Sequence, residues 1–249
     1  TMGSLISTSE TLGQAAIGGY KGGSGTLVIN GGVISATSTQ SFSAAIGCGS
    51  SSAYASAYSC DPITINGGMV TASSGANAAA IGGSMNSPGC TVVVNGGIVT
   101  ATAGRNGSGI GGGRAGGGGN FTQNGGIVLA TCGHSDISYH AIPIGNGANS
   151  KTPGTATYNG GITFLSGVGK LNTASFTLDQ KFNLPADATL TVESGKTLTV
   201  SESGYIAITG TLDNQGTIVN NGGIFNGGTF TNSGSGSCGL YAKDHPVVA

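Results

Sequence analysis

The chain has 249 residues, of which 50 are glycine and 7% are charged, with no tryptophan and a formal net charge of −1. Basic charge this sparse and scattered excludes a nucleic-acid footprint, and no apolar run reaches the roughly 18 residues of a membrane span. So much glycine marks either disorder or a backbone that turns often, and the plentiful Val, Ile and Thr beside it favour frequent turning.

Residues 1–13, opening on Thr1-Met2-Gly3-Ser4, read as cloning residues and an N-terminal cap, with no visible signal peptide. From residue 14 to 166 one unit recurs five times. An Ile-Gly step starts at Ile17, Ile46, Ile81, Ile110 and Ile144, with spacings of 29, 35, 29 and 34. Asn-Gly-Gly starts at Asn30, Asn66, Asn95, Asn124 and Asn159, with spacings of 36, 29, 29 and 35. The unit therefore spans about 29 residues and is twice lengthened by a short insertion.

Each unit predicts three short strands. The first ends on Ile-Gly; the second is Thr26 to Ile29, Ile63 to Ile65 and Thr91 to Val94; the third is Val33 to Thr37, Met69 to Ser73, Ile98 to Thr102 and Ile127 to Thr131. They are rich in β-branched residues and bounded by turn residues, and none has helical spacing. One such unit cannot bury its own apolar face, but stacked units can. Stacking predicts interior columns of Ile17/Ile46/Ile81/Ile110, Ile34/Val70/Val99/Val128 and Ala36/Ala72/Ala101/Ala130, about 4.8 Å between neighbours. The fold expected is all-β: a right-handed parallel β-helix, since parallel crossovers are overwhelmingly right-handed. The repeated Asn30, Asn66, Asn95, Asn124 and Asn159 read as a structural amide ladder at a corner rather than as ligands.

From residue 167 to 237 the period shortens. Gly210, Gly216, Gly222 and Gly228 are six apart, as are Leu212, Ile218, Ile224 and Phe230, and Asn214, Asn220, Asn226 and Asn232. Three such hexads make an 18-residue coil, so a narrower β-solenoid continues the chain. Residues 238–249 read as a C-terminal cap or the start of a linker, and the whole as a slice of a longer mature protein.

The order Ile-Gly-Gly, Thr-Val-x-Val-Asn-Gly-Gly, Ile-Val-Thr-Ala-Thr between Ile81 and Thr102 resembles repeats of large secreted and cell-wall-attached bacterial surface proteins. The resemblance covers roughly residues 14 to 166. It implies a pectate-lyase-like right-handed β-helix displayed outside the cell. That superfamily contains lyases, glycosidases, adhesins and inert stalks, so it implies no particular activity.

The chemistry-bearing residues argue against catalysis. A β-helix glycosidase needs two carboxylates about 5–10 Å apart. Before residue 170 the acids are Glu10, Asp61 and Asp136, and the last two fall in different insertions. Cys132, His134, Asp136 and His140 crowd the second insertion in no closed zinc spacing, and no acidic cluster is present to hold Ca²⁺. No cofactor, metal or catalytic residue is expected.

Binding is expected at the corner after each Ile-Gly strand: Tyr20, Lys21, then Tyr54, Tyr58 and Asp61 of the first insertion, and Arg114 further along, with Lys151 beyond it. Tyrosine suits sugar stacking, and Arg or Lys suits a carboxylated or sulfated glycan. The function expected is thus that of a non-catalytic extracellular module, adhesive toward a glycan or host-surface ligand, or projecting as a stalk. A polysaccharide-degrading enzyme is the alternative. Outward columns Ser35/Thr71/Thr100 and Thr37/Ser73/Thr102/Thr131 raise ice binding as a third class. Among the five cysteines, stacking brings Cys60 and Cys90 within disulfide range, with Cys48–Cys60 the competing pair and Cys132 and Cys238 isolated.

Overall fold

The computed structural model describes residues 3–20, 23–50, 60–135, 139–237 and 240–242. The chain divides into two compact units, Thr1–Asn159 and Gly160–Ala249.

In the first unit the chain runs repeatedly through three parallel sheets. One holds β1 (Ser4–Ser9), β4 (Val33–Ser38), β7 (Met69–Ser73), β10 (Ile98–Thr102) and β13 (Ile127–Thr131), each paired in parallel with the next. The second holds the two-residue strands β2 (Ile17–Gly18), β5 (Ile46–Gly47), β8 (Ile81–Gly82), β11 (Ile110–Gly111) and β14 (Ile144–Gly145). The third holds β3 (Leu27–Ile29), β6 (Ile63–Ile65), β9 (Thr91–Val94), β12 (Asn120–Gln123) and β15 (Thr155–Tyr158). Each strand meets the equivalent strand of the following repeat, which is the topology of a solenoid. Residues Ser4–Ser9 join this architecture: they pair along their full length with Val33–Ser38.

The register explains why the repeat has its composition. Ile17 pairs with Ile46, Ile46 with Ile81, Ile81 with Ile110 and Ile110 with Ile144. Ala36, Ala72, Ala101 and Ala130 form a second interior column, and Ile34, Val70, Val99 and Val128 a third. Stacking is what buries them. Ile17, Leu27, Ile29 and Ile34 of the first coil are only partly buried, whereas Ile46, Ile63, Ile65 and Val70 one coil on are at 0% exposure. Full burial of such a side chain contributes about 1.5–3 kcal/mol, so each added coil stabilises its neighbour as well as itself.

Glycine is demanded at the Ile-Gly side by the approach of the coils. Gly18, Gly47, Gly82, Gly111 and Gly145 all have φ between +129° and +142°, a region essentially closed to other residues. A Cβ on Gly47 would lie 2.2 Å from the carbonyl oxygen of Gly82, and one on Gly82 would lie 2.2 Å from that of Gly111. Those same oxygens accept the N–H groups of Cys48 (3.0 Å) and Gly83 (2.7 Å). Close packing and inter-coil hydrogen bonding are thus one contact.

A second inter-coil contact runs along the Asn-Gly-Gly corner. Asn66 Nδ2 donates to Asn30 Oδ1 (2.7 Å), Asn95 to Asn66 (2.8 Å), Asn124 to Asn95 (2.8 Å) and Asn159 to Asn124 (2.9 Å). Each amide in the middle of this row donates one bond and accepts another.

The second unit opens with an antiparallel hairpin of β16 (Ile162–Leu165) and β17 (Val168–Leu171). Its two-residue turn is Ser166-Gly167, both at positive φ as such turns require. Three parallel sheets follow. The first pairs β17 with β20 (Thr189–Val192), β23 (Thr211–Asn214) and β26 (Thr229–Asn232). The second runs through β18 (Ser175–Leu178), β21 (Thr197–Val200), β24 (Thr217–Asn220) and β27 (Ser235–Ser237). The third runs through β19 (Lys181–Leu184), β22 (Tyr205–Ile208), β25 (Gly223–Asn226) and β28 (Leu240–Ala242). The register step falls from 22 between Thr189 and Thr211 to 18 between Thr211 and Thr229. In the hexads the apolar residue points inward, with Leu212, Ile218 and Ile224 at 0% exposure. Asn214 is turned inward too, opposite Val192, and donates to Asn232 Oδ1 at 2.8 Å.

Replacing Gly82 by Ala forces both the closed φ and the clash with the Gly111 carbonyl. We expect a loss of roughly 3 kcal/mol or more. A control, Gly31→Ala, meets nothing within 4 Å and is expected to stay within about 0.5 kcal/mol of wild type. Thermal melts of the two variants check this, and equal melting curves would contradict the packing described.

Candidate functional site

Three cysteines converge beside the first insertion. Cys48 directly follows β5, Cys60 precedes β6, and Cys90 immediately precedes β9. Because β6 and β9 stack with Ile63 opposite Val92, Cys60 and Cys90 face each other at a Cα–Cα distance of 4.6 Å and form a disulfide. Cys48 is fully buried against them, and the three Sγ atoms all lie within 4.8 Å of one another. Among the described residues this is the one group of three His, Cys, Asp or Glu side chains close enough to share an ion. With two of its sulfurs bonded together, it lacks the thiolates that a closed zinc site needs.

Burial pushes the Cys48 thiol up to about 12, the Asp61 carboxylate adds to the rise, and hydrogen bonding with Ser24 opposes it. Asp61 itself is half-buried and accepts the Gly25 N–H through Oδ2 at 2.9 Å. It is therefore tied into the preceding coil.

The expected binding residues do not gather in one described place. Tyr20 is exposed, at 57%, and its backbone forms an isolated antiparallel bridge with Gln14. Lys21, Tyr54 and Tyr58 lie outside the described residues, as does Asp136. Arg114 sits half-buried on the fourth coil, its Nε enclosed without a hydrogen-bond partner.

A different aromatic–cation pair appears next to Arg114. Lys151 Nζ lies 4.7 Å above the centre of the Tyr139 ring, and both side chains are exposed. The backbone binds this pair to the Arg114 turn. Ala115 N–H donates to Ala148 O (2.7 Å), and Asn149 N–H donates to Tyr139 O (2.8 Å). Ala115 and Asn149 both hold positive φ, at 61° and 64°, so the two turns are similarly wound and stacked. Tyr139 and Lys151 are twelve apart in sequence, on either side of β14. The lone sequence signal was an aromatic and a base flanking an Ile-Gly strand.

Three of the described carboxylates are engaged structurally: Asp61 as above, and Glu193 and Asp213. Glu193 is held 2.7 Å from Lys196, whose hydrogen bond and charge keep its carboxyl below the ordinary value. Asp213 accepts from Thr231 (2.6 Å) and Gln215 (2.7 Å). In the second insertion, Cys132, His134 and His140 are half-buried or exposed. The outward Thr columns are in register, but Leu129 stands opposite Thr100 and interrupts one of them.

A beta helix repeat family model matches residues 27–50, 63–85 and 92–114. These three segments each carry one β3-, β6- or β9-type strand through to the following Ile-Gly turn, which is the repeat that the stacked sheets display. The chain is a parallel β-helix repeat protein. No curated protein and no solved structure matched it in comparison. The β-helix brings Cys48, Cys60 and Cys90 together, and stacks the Arg114 turn on the turn that carries the Tyr139–Lys151 pair.

The raised Cys48 value makes a pH prediction. The buried neutral thiol stabilises the fold fully below the unfolded value near 9.0, and that contribution is lost as pH rises from there through about 12. Urea melts of wild type and Cys48→Ala are expected to differ by a constant amount around neutrality. The wild type should then lose its advantage progressively above about pH 9. Parallel curves throughout that range would show that the thiol is not sequestered.

Proposed function

We propose that this β-helix is a non-catalytic extracellular module of a bacterial surface protein, adhesive toward glycans, with its coils also serving to project the binding corner. The observation that carries the reading is the exposed Tyr139 ring with Lys151 Nζ 4.7 Å above it, on a turn hydrogen-bonded through its backbone to the Arg114 turn. A tyrosine face offers apolar contact to a sugar ring, and the two cations offer charge-assisted hydrogen bonds to its carboxylate or sulfate groups. Such groups on turns held by a stacked scaffold are preorganised, which lowers the cost of binding.

The engagement of Asp61, Glu193 and Asp213 with structural partners supports the non-catalytic part of the reading. None of them stands as an acid–base pair of the kind that glycoside cleavage uses.

A glycan array on wild type and on Arg114→Gln/Lys151→Gln tests the proposal, with Tyr54→Ala/Tyr58→Ala as a second variant. We expect the wild type to bind acidic glycans, and the charge variant to bind at least about tenfold more weakly with an unchanged melting curve. Loss in the tyrosine variant alone would move the binding corner to the first insertion. Binding to no glycan leaves the projecting role, and release of reducing ends or unsaturated products would establish an enzyme instead.

A further inference from the structure

We propose that Cys48, Cys60 and Cys90 form a single thiol–disulfide exchange site, in which the bond joining Cys60 to Cys90 migrates onto Cys48. The repeat itself assembles the trio. Cys48 is positioned where its N–H donates to Gly82 O on the next coil. Cys90 precedes the strand that stacks on the strand following Cys60. All three Sγ atoms fall within 4.8 Å of one another, so a third sulfur lies against an existing disulfide.

Exchange proceeds by attack of a thiolate on a disulfide sulfur. Cys48 loses its proton and its Sγ bonds to Sγ of Cys60. The Cys60–Cys90 bond breaks with its electron pair leaving on Cys90, which takes up a proton. One thiol and one disulfide enter and one of each leaves, so no oxidant or reductant is consumed. Before the exchange, the bond staples two consecutive coils across a sequence separation of 30. Afterwards it joins the two ends of the first insertion, the segment that contains Tyr54 and Tyr58, and releases the coil-to-coil staple.

The surroundings of Cys48 set the rate. Burial and the Asp61 carboxylate, the charged group acting on it, hold the thiol protonated at neutral pH, against the opposing hydrogen bonding with Ser24. Exchange is therefore slow near neutrality. It accelerates about tenfold per pH unit as the thiolate fraction rises toward the thiol's own value.

The test uses the oxidised full chain without reductant, held at about pH 7 and about pH 10, then acid-quenched, denatured, alkylated and mapped by mass spectrometry. The expected result is a Cys48–Cys60 peptide pair with label appearing on Cys90, faster at the higher pH and at a rate independent of protein concentration. Cys48→Ser should keep Cys60–Cys90 intact under both conditions, and Cys90→Ser should form Cys48–Cys60 on oxidation. Label that never reaches Cys90 in the wild type would overturn the proposal. So would a rate proportional to protein concentration, or a Cys90→Ser chain that retains two thiols after oxidation.

Discussion

The constraint on which the first unit depends is the contact of glycine on glycine between successive coils. At Gly47 the carbonyl oxygen of Gly82 occupies the volume that a side chain would need, and that oxygen also bonds the neighbouring N–H. With coils this close, the interior is thin. It is filled mostly by Ile, Val and Ala, with Phe121 a buried ring among them. The surplus of glycine and the scarcity of aromatics therefore have one physical cause.

From that contact the remaining organisation follows. A repeat that must return to the same column has a fixed path length, so the described strands keep their pairing whether the repeats are 29 or 35 residues apart. The first insertion delivers Cys60 beside Cys90, and the second separates β13 from β14 and carries Tyr139 to the turn shared with Lys151. Chemistry collects where the repeat is broken, because the repeated positions are already committed to stacking. The Asn row illustrates the commitment: each amide spends its side chain on the adjacent coil.

Much of the fold was legible because stacking is a periodic demand that writes itself into sequence. The columns through Ile17, Ile34 and Ala36 follow from spacing alone, and the 18-residue step of the last coils follows from the hexads. Ser4–Ser9 was not legible as a strand, since Leu5 and Ile6 carry none of the repeat's glycine or asparagine marks. The β16–β17 hairpin was missed for a related reason. A single antiparallel turn at Ser166-Gly167 has no period, and only local turn chemistry announces it. The site was less legible than the fold. Cys60 and Cys90 share a register that can be counted, whereas Tyr139 and Lys151 occupy no repeated position that spacing could match.

In-register stacking of consecutive coils is the central claim, and engineered cross-linking measures it directly. Thr71 lies opposite Thr100 on adjacent strands of the first sheet, at an expected Cα separation of about 4.8 Å. Thr102 is two residues further along, beyond the roughly 7 Å that a disulfide can bridge. Oxidation of Thr71→Cys/Thr100→Cys should give a high yield of the intramolecular disulfide by peptide mapping, and Thr71→Cys/Thr102→Cys should give little. Equal yields, or a preference for the shifted pair, would contradict the stacking from which the whole account is built.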